Sequence, residues 1–104
     1  MRRRRYEMLL PLLRNDGRPV SPAKHRQTRE ELFSRFGAVS SLPGMVHGAW
    51  LHAGTRYEDE SVRLLMDVAN TKENRVFFVN LKAVLLERFE QIEIYIISFV
   101  IDVV

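Results

Sequence analysis

Apolar and polar positions alternate most clearly from Ser61 to Val68. Val62, Leu64, Met66 and Val68 fall between Ser61, Arg63, Leu65 and Asp67, which is the period of a strand with its even positions turned to a core. A second period follows, with Phe78, Leu81, Leu85 and Phe89 at helical spacing joined by Phe77, Val84 and Leu86. Thr71 precedes that run as its cap, and Glu73 complements the dipole of the first turn. An earlier helix is bounded more sharply. Ser21 can accept from a free amide of the first turn, Pro22 sits where a missing N–H costs nothing, and Gly37 ends the helix after Phe36. Its predicted apolar stripe is Thr28, Leu32, Phe33 and Phe36, and His25 is expected at the surface.

The remaining runs are short and bounded by turns, so they predict strands. Tyr6 to Leu13 ends at Asn15-Asp16-Gly17. Ala38 to Leu42 is an extended lead-in that Pro43-Gly44 breaks or bulges, and Met45 to Leu51 pairs with Thr55 to Val68 through a turn at Ala53-Gly54. Glu93 to Val104 is β-branched and aromatic, which predicts a terminal strand. Strand, helix, strand, strand, helix, strand is the order of an α+β ferredoxin-like βαββαβ sandwich. That fold has a four-stranded antiparallel sheet with two helices on one face, and right-handed crossovers place its first and third strands centrally.

One sheet face is then open, yet the last strand is apolar on both sides, with Ile94, Ile96 and Val100 on one and Tyr95, Ile97, Phe99 and Ile101 on the other. This predicts a homodimer or higher homo-oligomer formed through the open face. The plain alternative is that the final residues leave the sheet.

Composition narrows the function classes. A chain of 104 residues fits a single domain spanning 1–104, and without cysteine it has no disulfide framework, thiolate metal site or cysteine nucleophile. A cytoplasmic setting suits that composition. The net charge of +3 comes from Arg2, Arg3, Arg4 and Arg5; without these four, 12 basic residues face 13 acidic ones. Residues 1–5 are therefore expected to be a basic N-terminal tail, and the neutral body argues against nucleic acid as a partner. No apolar run reaches the ~18 residues of a membrane span.

The richest chemistry lies between Gly48 and Glu60. With Ala53-Gly54 as a two-residue turn, Trp50 faces Tyr57, His52 faces Thr55, Gly48 faces Asp59 and His47 faces Glu60. Parity puts Trp50, Tyr57, Asp59 and Arg63 on the open face, where Glu7 of the neighbouring strand can join them; with His52, these are the candidate ligand-pocket residues. The competing reading is a stabilising aromatic pair with solvated edge carboxylates. His47 and His52 are five apart and point to opposite faces of a regular strand, so no metal site is expected. No phosphate loop or nucleophile elbow occurs, and no cofactor is implied.

Tyr6 opening a strand that ends in Asn15-Asp16-Gly17, Gly48-Ala-Trp50, Tyr57-Glu-Asp-Glu60, the stretch from Thr71 to Phe78 and the stretch from Glu87 to Gln91 together resemble a group of short, uncharacterised bacterial proteins. The resemblance implies a stand-alone bacterial ferredoxin-like domain and brings no activity. The sequence thus predicts a small non-enzymatic binding or interaction module that oligomerises through its open sheet face. An enzyme of the dimeric α+β barrel type, using a sheet-face pocket, is the alternative.

Overall fold

The computed structural model describes residues 2–104, without the side chain of Pro43. Its elements are β1 (Arg2–Pro11), α1 (Pro22–Phe36), β2 (Ser40–His52), β3 (Thr55–Val68), α2 (Lys72–Arg88) and β4 (Ile96–Asp102). They form one four-stranded sheet of order β2-β3-β1-β4 with every pair antiparallel, so β1 and β3 are central as the crossover rule requires. This is the ferredoxin-like sandwich. An isolated bridge joins Leu13 to Pro19 below the sheet.

Local signals account for most boundaries. The Ser21 hydroxyl accepts from Ala23 N–H at 3.3 Å, and Gly37 closes α1 in the left-handed region with its N–H donating to Phe33 C=O. The Thr71 hydroxyl accepts from Asn74 N–H at 3.1 Å and starts α2. Ala53 and Gly54 both take positive φ, 49° and 80°, as a two-residue hairpin turn of the twisted kind demands.

The core lies between the sheet and the helices. Tyr6, Met8 and Leu10 of β1 and Leu64, Met66 and Val68 of β3 meet Leu32 of α1 and Phe78, Leu81, Leu85 and Phe89 of α2 and its cap. Each such side chain contributes about 1.5–3 kcal/mol by leaving water. Tyr6 and Phe78 stack at 3.8 Å between ring centroids, and Phe36 adds a parallel ring 5.4 Å from Phe78. Arg88 ties the helices together. One guanidinium nitrogen donates to the buried Thr28 hydroxyl at 2.8 Å and the other to Glu31 at 2.7 and 2.9 Å. Among the described residues, no helix is long and apolar enough to cross a membrane.

Several expectations are corrected. Arg2 to Arg5 are not a tail: they are the first residues of β1, paired with β3 and β4. Distant side chains bind the inner two arginines of the run. Arg5 makes a two-pronged ion pair with Asp67 at 2.7 and 2.9 Å, and Arg4 donates to Asn70 and Ser98. His25 is buried at 7% exposure, against the rim of Phe89 with its Nε2 3.0 Å from Pro11 C=O. Phe33 is 54% exposed and Val84 is also outside the core, since the buried stripe of α1 runs through His25, Thr28 and Leu32 and that of α2 through Phe78, Leu81 and Leu85. At Pro43-Gly44 the strand bulges rather than breaks, one of the two expected outcomes: β2 continues through a register shift between Leu42 and Val46. The terminal strand is shorter than expected, Ile96–Asp102: before it Ile94 packs into the core and Tyr95 C=O accepts from Leu9 N–H.

Candidate functional site

The ladder of β2 and β3 fixes which side chains share the open face. Trp50 pairs with Tyr57, His52 with Thr55, Gly48 with Asp59 and His47 with Glu60. On β1, Leu9 pairs with Arg63, Glu7 with Leu65 and Arg5 with Asp67, and the Glu7 position continues across to Ile97 of β4. Since Leu64, Met66 and Val68 are buried under the helices, the odd positions of β3 and β1 face away from them.

A groove of about 350 Å³ lies on this open face. Trp50 lines it from β2 and Tyr95 from the segment leading into β4; Asp59, Ser61, Leu9 and Pro11 line it from the central strands. Gly48 leaves part of the lining bare: a Cβ added there would meet nothing within 4 Å. Residues 91–95 close one end. Gln91 turns back to the carbonyls of Leu13 and Phe89, and Ile94 inserts into the core. Lys82 donates to Glu93 at 2.8 Å, and that hydrogen bond is the main reason the Glu93 carboxyl titrates below the ordinary range.

A smaller concavity of about 200 Å³ adjoins the groove and shares Leu9, Val46 and Tyr95 with it. It contains Glu7 and Arg63, whose Oε2 and Nε are 3.9 Å apart. Farther along the same face the Arg5 guanidinium, hydrogen-bonded to Asp67, holds that carboxyl below its usual range.

The structure thus brings Trp50 and Asp59 into one groove and Glu7 and Arg63 into its neighbour. Tyr57 stacks on Trp50 at 4.9 Å between centroids and buttresses it from outside. His52 lies tilted against the other side of Trp50 at 6.0 Å, exposed to solvent. Tyr95 and Ser61 were not among the candidates. Ser61 carries the same parity as Asp59, so its place was legible. Tyr95 precedes β4, and only the pairing of Leu9 N–H with Tyr95 C=O, at 3.0 Å, fixes it beside the groove. Among the described residues, no three His, Asp or Glu side chains converge to hold a metal ion.

No family model matches the chain, and no curated protein matches it. Among solved structures it is similar in fold to a phage SAM lyase in complex with S-methyl-5'-thioadenosine. The two share 14% identity at a TM-score of 0.68, over 97% of this chain and 90% of the other.

Proposed function

We propose that the protein is a small-molecule binding module that takes an adenine nucleoside or its thioether in the groove of its open sheet face. The observation that carries this reading is the lining itself: the half-buried Trp50 and exposed Tyr95 rings, an apolar floor, and the Asp59 carboxylate, without an ion-pair partner among the described residues, facing a bare glycine. A flat heterocycle stacks on an indole or phenol with about 1–3 kcal/mol per base. Asp59, beside Ser61, accepts from vicinal hydroxyls of a sugar. The fold neighbour, bound to an adenine thioether nucleoside, supports the ligand class.

The apolar positions beyond the groove, Ile97, Phe99 and Ile101 of β4, pack in this reading against a second copy of the chain. It is the reading of a bacterial domain working in the cytoplasm. The fold neighbour's being a lyase favours one alternative, an enzyme acting on its ligand in the same groove.

Calorimetric titration with S-methyl-5'-thioadenosine, adenosine and free ribose tests the proposal. The two nucleosides are expected to bind and ribose not to; failure of both nucleosides, or equal binding of ribose, overturns it. Light scattering at micromolar concentration is expected to give a dimer or larger species, and a monomer overturns the second contact. Release of a new nucleoside from S-adenosyl-L-methionine, followed by chromatography, would decide for the enzyme.

A further inference from the structure

We infer that Glu7 and Arg63 form a receptor for a zwitterionic α-amino-acid head group, placed beside the aromatic groove so that one ligand can fill both. This rests on the reading of the groove as a nucleoside site.

The pair is incompletely satisfied. Glu7 has only 15% of its side chain exposed and Arg63 has 42%, yet Oε2 and Nε stand 3.9 Å apart, beyond hydrogen-bond reach. Arg63 Nε is buried without a hydrogen-bond partner. A native protein rarely leaves such a group unmet. The neighbouring Arg5 lends Glu7 its charge but, among the described residues, no hydrogen bond: its two go to Asp67.

Charge then selects the ligand. An anion drawn to Arg63 meets Glu7 beside it, and a cation drawn to Glu7 meets Arg63. A molecule carrying an ammonium and a carboxylate on one carbon satisfies both: the ammonium donates to Glu7, and the carboxylate accepts from Arg63. The concavity holding the pair runs into the groove through Leu9, Val46 and Tyr95, so the head group and the aromatic base belong to one molecule.

The probes are S-adenosyl-L-homocysteine, which carries the amino-acid group, and S-methyl-5'-thioadenosine, which lacks it. Titration calorimetry on the full chain is expected to show the first binding about tenfold tighter than the second, the scale of one well-made charged hydrogen-bond pair. Glu7→Gln and Arg63→Met are expected to collapse that ratio to about threefold or less, chiefly by weakening the homocysteine derivative. Glu7→Gln preserves size and carries the test if Arg63→Met does not fold. Equal affinities in the wild type, with S-methyl-5'-thioadenosine bound, overturn the inference and leave the groove standing. An unchanged ratio in Glu7→Gln also overturns it. If neither probe binds, the groove reading falls and takes the inference with it.

Discussion

Replacing Gly48 with valine separates the groove from the fold, because the two are expected to respond in opposite directions. Gly48 faces Asp59 across the ladder and lines the groove, its backbone is outside the left-handed region, and a Cβ there meets nothing within 4 Å. The substitution therefore removes the entropic cost of glycine without a clash. Glycine inside a strand costs roughly 0.5–1 kcal/mol relative to a residue with a side chain, and valine suits a pleated surface. At about 4–8 °C per kcal/mol for a domain of this size, the melting temperature should rise by roughly 2–8 °C. The new side chain projects into the space beside Trp50 and Asp59, so affinity for S-methyl-5'-thioadenosine should fall by about tenfold or more, a decade being 1.4 kcal/mol. Circular-dichroism melts with and without the nucleoside read both effects. The wild type should gain stability from the ligand, and Gly48→Val should start higher and gain little. A melting temperature several degrees below wild type would refute the open space at Gly48. A ligand-induced shift as large as that of the wild type would refute the groove as the site.

Two further substitutions probe the frame that holds the groove. Ala53 sits at φ 49°, in a conformation that costs an alanine about 1–2 kcal/mol and that asparagine tolerates, so Ala53→Asn should raise the melting temperature by a few degrees; no change or a fall would contradict the turn geometry. His25 is held below its ordinary titration range, first by burial, then by the Arg29 charge, with the Pro11 carbonyl opposing both. Its folded-state pKa is depressed, so the unfolded chain binds the proton first as pH falls. The His25 contribution is then complete above about pH 6.5 and is lost progressively below it. Urea unfolding at pH 7.5 and 5.5 should show lower stability at 5.5, and His25→Gln, which can still donate to Pro11, should reduce the difference. Equal wild-type stability at the two pH values would contradict the burial.

Capping and turn chemistry made much of the fold legible in the sequence. Ser21-Pro22, Gly37 and Thr71 act within a few residues of themselves, and the Ala53-Gly54 turn sets the register of β2 and β3 as far as Val46 and Ser61. Alternation in β3 then identified the open face. The Arg2–Arg5 run misled because its hydrogen-bond partners, the Asp67 carboxylate and the neutral Asn70 and Ser98 side chains, are 62 to 94 residues away. His25 misled because its partner is a single backbone carbonyl in another element. For the candidate site, parity put Trp50, Tyr57, Asp59, Arg63 and Glu7 on one face. It carried no information on the division of that face into two concavities, nor on Tyr95. The placing of Tyr95 depends on tertiary contacts of the segment before β4: the packing of Ile94, the back-bonding of Gln91 and the Leu9 N–H bond to Tyr95 C=O.

Trp50 is the only tryptophan in the chain and it lines the groove, so its fluorescence reports the proposed site directly. Titrating S-methyl-5'-thioadenosine into the folded wild-type protein should change the emission along a saturable curve whose midpoint matches calorimetry. Emission that stays constant to millimolar ligand, in protein shown by circular dichroism to be folded, would contradict nucleoside binding on the open sheet face.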